Sequence, residues 1–408
     1  MRILELVGAD IPLGTRIAFL RRGRGLSQLQ LATRAGVSVD YVSMLERGLR
    51  STPSTHILQL FAQVLQVSLD ALRGHGQVTE GGEGHPVIPR LTEAMLGVED
   101  WSPAPGLDLA SMQDRVELLG DTWFGNASFD RTAALLPEVI READYLQRAY
   151  PTPQEEPQRR QAALLAYQVY NITTQFASDV GALDASVAAR ERMLRAAEDS
   201  DDLIAIASCR WLLSLKLIRQ GYLDASERIL ARQLEELRGA DDVTRQALTG
   251  MTHAAASVVA VRQRDIEAAR DHADAASRTA QKTGEHSIYW SAWGPTNAGI
   301  YQTEIAAEYG DARDGLRASQ QVTPQMVSLL PIAERRAHYL THIAWLYDQL
   351  DEDTGVILHL KRAQREAPEE FPYSRLAQQL IVPLMHRARS SYYRDVAELA
   401  EQAGMALA

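Results

Sequence analysis

The 408-residue chain reads as an all-α protein: a small helical head, a glycine-rich linker and a long body of paired helices, an α-solenoid. Three observations predict this. Ser27 to Arg50 holds two short apolar-periodic stretches split by Gly36. GHGQVTEGGEGHP, residues 74–86, has five glycines in thirteen residues and has the composition of a flexible linker. Beyond it a hexapeptide recurs, GALDAS at 181–186 and GYLDAS at 221–226, 40 residues apart. A unit repeated at that period signals helix pairs that bury their apolar stripes by stacking on neighbours.

The head is assigned to residues 1–74. Leu13, Ile17 and Leu20 set one face of a first helix, with Arg16, Arg21 and Arg22 around it. Ser27 and Gln30 have the spacing of a capping box, which satisfies orphan N–H groups at a helix start. Leu31, Ala32 and Ala35 then share one face. Gly36 can take the left-handed conformation that ends a helix. Ser38 is placed to cap the third helix, whose buried side is Val42 and Leu45. Its other side presents Val39, Asp40, Ser43, Met44 and Arg47. Thr52-Pro53 opens a fourth helix with Leu58, Phe61, Ala62 and Leu65 inward, and Ser68 to Leu72 gives a short fifth.

Residues 75–106 are assigned to the linker, with a short helix expected in PVIPRLTEAML, and 107–408 to the body. Predicted pairs are 161–176 with 183–198, 203–219 with 223–237, 242–262 with 265–282, 288–308 with 311–321, 332–350 with 354–366, and 374–389 with 393–403.

Composition narrows the function. The net charge of −11 is partitioned: residues 1–74 carry nine Arg against five acidic residues, net +4, and the rest carries −15. A basic head on an acidic body fits nucleic acid at one end. The single Cys209 excludes an internal disulfide framework. No run approaches a membrane span, and MRILELVGAD is too short and too acidic for a signal peptide, so a cytoplasmic protein is expected. No phosphate-binding glycine loop, zinc-type cysteine pair or nucleophile–base motif is present, and neither an enzyme nor a cofactor is expected. Glu334, His338 and His342, four apart on one predicted helix, form a metal-like stripe that a polar groove face explains equally well. No metal is assigned, and His75 and His85 read as solvated linker residues.

S-Q-x-x-L-A-x-x-A-G-V-S-x-x-Y-V-S-x-L-E-R-G, from Ser27 to Gly48, resembles the helix-turn-helix of the Xre/Cro family. The resemblance extends over about five helices, from Leu13 to Gly74. It implies binding to a double-stranded DNA operator. By resemblance, Gln28 begins the positioning helix and touches the DNA backbone. Ser38, Val39, Asp40, Ser43 and Met44 then face bases or neighbouring phosphates; Arg47 and Arg50, at the end of the recognition helix, are separately expected to approach phosphates. The resemblance also pairs Arg21 with Glu46 as a tie between first and third helices. Val39 and Asp40 stand where long amides often sit in relatives, so base choice does not transfer. Asp40 repels phosphate but can accept from a cytosine amino group.

The body resembles degenerate tetratricopeptide repeats, and the whole layout resembles the Rgg/PlcR-type peptide-pheromone regulators. That resemblance implies a homodimer and a short peptide in the repeat groove; since one head offers a single short helix, enough for a half-site, an inverted-repeat operator is expected. Candidates for the groove are Tyr167, Asn171, Gln175, Arg210, His253, Asn297, Tyr301, His338 and His342. The competing reading is an interaction scaffold: the repeats hold a protein partner and the head serves as a tether or packing module.

Overall fold

The computed structural model describes residues 13–24, 26–48, 53–65, 72, 86–97, 101–125, 128–239, 241–309, 312–387 and 392–405. The head contains α1 (Leu13–Gly23), α2 (Gln28–Ala35), α3 (Val39–Glu46) and α4 (Thr55–Leu65). Ile17, Leu31, Val42, Leu45, Phe61 and Leu65 close its core. Gly14 lets α1 lie against α3: a Cβ there would stand 1.9 Å from the Leu45 carbonyl oxygen. Arg50, His75, His85 and, apart from Leu72, the expected fifth helix lie outside the described residues.

The body begins earlier than the sequence suggests. Helix α5 (Ile88–Leu96) buries Leu91, Ala94 and Met95 in the same core as the long helices. Trp101 donates to Glu138 at 3.0 Å, and the Arg192 guanidinium bonds the Met95 carbonyl. Assigning all of 75–106 to a linker is therefore corrected: the glycine run masked an apolar stripe beginning at Val87. Then follow α6 (Leu109–Gly120), a π-helical turn at 121–125, and α7 (Phe129–Ala149).

Antiparallel pairs come next: α8 (Glu156–Asp179) with α9 (Leu183–Ser200), α10 (Leu203–Gln220) with α11 (Leu223–Glu236), and α12 (Val243–Arg262) with α13 (Ile266–Thr283). The repeated hexapeptide makes these corners. Gly181 and Gly221 both sit at φ 83°. Ser186 donates to the Thr174 carbonyl at 3.0 Å and Ser226 to the Ser214 carbonyl at 3.3 Å. Each serine thus staples its helix to the one before, twelve residues back. Asp202, Asp242 and Asp265 cap α10, α12 and α13 by accepting from backbone N–H groups.

A helix from residue 288 was expected, but a hairpin stands there: β1 (His286–Ile288) antiparallel to β2 (Ser291–Trp293). Its turn residues, Tyr289 at φ 44° and Trp290 at φ 63°, are both left-handed. The aromatic rings plug the space between helices far apart in sequence. Trp290 stacks on Phe124 at 5.7 Å, and Tyr289 meets Tyr167 edge-on at 5.3 Å. Two glycines make room, since a Cβ at Gly120 would stand 2.1 Å from Trp290 and one at Gly250 2.6 Å from Trp293.

The chain continues through α14 (Pro295–Tyr309), α15 (Ala312–Ser319), α16 (Pro324–Leu329), α17 (Ala333–Asp348), α18 (Asp353–Glu366), α19 (Arg375–Arg387) and α20 (Tyr393–Gln402). The stack curls back on itself. Ile332, Tyr339 and Leu346 share a core with Met112 and Phe129, and Phe129 stacks on Tyr373 at 4.8 Å. Gly250→Ala should destabilise the chain by about 1–3 kcal/mol through overpacking against Trp293. Gly125→Ala, where a Cβ meets nothing within 4 Å, should be near neutral. Equal urea midpoints for the two variants would refute the close approach.

Candidate nucleic-acid interface

Helix α2 starts at a complete capping box: the Ser27 hydroxyl accepts from Gln30 N–H at 3.1 Å and the Gln30 side chain accepts from Ser27 N–H at 2.8 Å. It ends at Gly36, φ 66°. Ser38 then caps α3 by accepting from Tyr41 N–H at 3.1 Å. Both caps form within four residues of sequence, so this corner is locally determined.

The corner is held at a fixed angle by one ion pair. Arg21 donates to both Glu46 oxygens, at 2.6 and 2.8 Å, and to the Leu26 carbonyl at 2.7 Å. Both partners are largely buried, and a bidentate guanidinium–carboxylate pair constrains direction as well as distance. Burial pushes the Glu46 carboxyl up, but the Arg21 and Gln28 hydrogen bonds and the nearby arginines hold it below its ordinary value.

Gln28 therefore supports the fold as well, because its amide donates to Glu46 at 2.8 Å. Ser38, Val39, Asp40 and Arg47 are exposed, and Ser43 and Met44 are half-buried beside them. The Arg47 Nε returns to the Ser43 carbonyl at 3.2 Å. The result is a helix N-terminus with small polar and charged side chains on one open edge, opposite Val42 and Leu45. A short helix so presented suits a major groove.

The helix-turn-helix family model matches residues 17–72. SinR of Bacillus licheniformis, an HTH-type transcriptional regulator, is 38% identical over 68 residues, which is 17% of this chain and 61% of that protein. RghRB of Bacillus subtilis, an uncharacterized HTH-type transcriptional regulator, is 37% identical over 93 residues, 21% of this chain and 67% of its own length. The uncharacterized HTH-type regulator y4dJ of Sinorhizobium fredii is 46% identical over 55 residues, 14% of this chain and 70% of its own length. The chain belongs to the helix-turn-helix family of transcriptional regulators. Each of these likenesses covers about a fifth of the chain or less.

The head of this helix-turn-helix protein is packed on its body. Gln59 is buried, and a Cβ at Gly221 would lie 3.6 Å from its side chain. His56 is held below its ordinary pKa chiefly by burial, with Glu308 opposing and Arg262 and Arg264 assisting. The open edge of α3 stays accessible in this docked arrangement.

The groove candidates fare differently. Tyr167, Asn171, Asn297 and Tyr301 are buried, so the expectation that they line an open groove is corrected. The hairpin takes the space before Tyr167. Asn171 accepts from Gln175 at 2.9 Å. Asn297 donates to the Ala292 carbonyl at 2.6 Å and accepts from Arg335 at 3.0 Å, while that guanidinium covers the Tyr301 ring at 5.4 Å. Half-buried Arg210 pairs with Glu236, and His253 meets His272 ring to ring, Nδ1 to Nδ1 at 2.8 Å. Burial and the neighbouring His272 push His253 down to about 4. Cys209 is buried, its thiol pushed up to about 12 by desolvation.

The expected histidine stripe splits. His342 stacks on Trp345 at 5.3 Å. His338 instead sits between carboxylates, Nε2 at 2.9 Å from Glu370 and Nδ1 at 3.7 Å from Glu334. These three residues offer ligand atoms within 4.8 Å of one another, which a cation could share. Burial would lower the His338 pKa, but Glu370, with Glu334 and Asp179 behind it, holds it at about 9. Sequence spacing missed Glu370, which lies 32 residues from His338.

Arg47→Ala should weaken binding to all DNA sequences alike and lower the log–log salt slope by about 0.9 per lost phosphate contact. Ser43→Ala or Met44→Ala should instead shift sequence preference by about 1–3 kcal/mol. Anisotropy titrations at several salt concentrations distinguish them, and wild-type behaviour in all three variants would refute this surface. The body offers a separate check. Histidine in the unfolded chain titrates near 6.5. The raised His338 value therefore contributes stability in full below that pH, and the contribution is lost as pH rises through about 9. Melting temperatures should carry a fall over this window that His338→Gln removes; an unchanged profile in the variant would contradict the ion pair.

Proposed function

We propose that this chain is a DNA-binding transcriptional regulator that recognises an inverted-repeat operator as a homodimer, with its helical body acting as sensor. The observation carrying this is the open N-terminal edge of α3, exposed in a head otherwise tied down by Arg21 and Glu46. One such edge spans only a half-site, so twofold recognition requires two chains. The stacked pairs are read as a degenerate tetratricopeptide-like solenoid supplying the dimer surface.

The short-peptide reading keeps only the less buried candidates, Gln175, Arg210, His253, His338 and His342. The centre of the inner face is held by the chain's own hairpin, and a peptide there must displace it. The scaffold alternative, a folded protein partner on the repeats, predicts no operator preference.

Selection of genomic fragments by the full chain, followed by sedimentation of the complex, tests the proposal. Retained fragments should share an inverted repeat with half-site centres about 10–10.5 base pairs apart or a multiple of that. The complex should hold two chains per duplex. One chain per duplex, or fragments without a shared sequence, would overturn it.

A further inference from the structure

An open cleft of about 420 Å³ lies at the seam between head and body. Tyr41 of α3 and His56 of α4 line one side, and Arg264, Glu308, Arg313 and Trp345 line the other. That volume is in the range of small-molecule sites, which concentrate at domain interfaces.

Arg264 is the unusual member. It occupies the corner between α12 and α13, the place that Gly181 and Gly221 fill in the two preceding pairs, and it holds φ 68°. Those glycines enter the left-handed region freely. Arginine does so at a cost, as Asp201 and Asp351 do at other helix ends, and here the strained corner turns its side chain toward the cleft lining. The guanidinium is exposed and makes no hydrogen bond or ion pair among the described residues. The Glu308 carboxylate does not answer it, being taken by Arg262 at 3.0 Å. Arg264 therefore leaves this wall with a cation to spare, and the rings of Tyr41 and Trp345 supply flat apolar surface.

We propose that this seam is a binding site for a small aromatic carboxylate, its carboxylate on Arg264 and its ring between the surfaces of Tyr41 and Trp345. Tyr41 belongs to the helix that presents the DNA-facing edge, so an occupant bridges that helix to the body. Such a bridge changes DNA affinity to the extent that the ligand prefers the docked head, and DNA then changes ligand affinity by the same factor. The inference rests on the regulator reading above and names its ligand class.

The test is calorimetric titration of the full chain with benzoate, salicylate and indole-3-acetate, with inorganic phosphate as a ringless anion. At least one carboxylate should bind saturably, one per chain. Arg264→Ala and Arg264→Gly should each weaken binding about tenfold or more, as expected for loss of a charged hydrogen-bond partner. Arg264→Lys should retain most of the affinity. Without ligand, Arg264→Gly should melt above the wild type, because glycine relieves the corner. No binding by any of the three carboxylates, undiminished binding by Arg264→Ala, or equally tight phosphate binding would each overturn the proposal. Anisotropy on operator DNA with the same proteins separates the two readings. Intact DNA binding without carboxylate binding removes the seam site alone, and carboxylate binding without DNA binding removes the regulator reading alone.

Discussion

The body is tied together by one short hairpin whose aromatic rings plug the space between helices far apart in sequence. Trp290 joins the stack at Phe124, Tyr289 meets Tyr167, and Trp293 lies on the backbone of α12 at Gly250. Two left-handed non-glycine residues cost about 1–2 kcal/mol each. Burying a tryptophan contributes at most about 4–6 kcal/mol, and Trp293 is fully buried. Burial therefore outweighs the strained turn. Helices far apart in sequence thereby share one core, and Tyr167 and Asn171 lie in the interior.

The plug also explains which parts of the structure were legible beforehand. Head corners are written in neighbouring residues: Ser27 with Gln30, Gly36, and Ser38. Body corners repeat, so GALDAS and GYLDAS marked the helix pairs, whereas the staples at Ser186 and Ser226 emerge only in the fold. Gly14 was silent, because its purpose appears only when α3 lies across it. The hairpin was silent for a related reason. Tyr289 and Trp290 are not the residues a tight turn usually carries, and their partners lie in distant helices. Tyr167 and Asn171 were correctly placed on first helices of pairs, but nothing nearby in sequence says that the face they occupy is filled. Glu370 joined His338 only through the fold.

Charge and packing divide the labour between the two parts. The head carries +4 and exposes the edge of α3, whereas the rest of the chain carries −15. A phosphate backbone is attracted to one and repelled by the other, which disfavours unproductive contacts along the acidic stack. The head nevertheless remains in contact with that stack through Gln59, His56 and Tyr41.

That contact has a geometric consequence. A head on a loose tether would follow a half-site wherever the duplex carried it. A head seated on the body cannot, so in the homodimer proposed above the separation and facing of the two reading edges would be set by protein, as on a ruler. The ruler is sensitive to phase: about five added base pairs, half a turn of the duplex, would carry the second half-site to the far side. Tolerance of operator spacing thus becomes a measure of how firmly the head is seated.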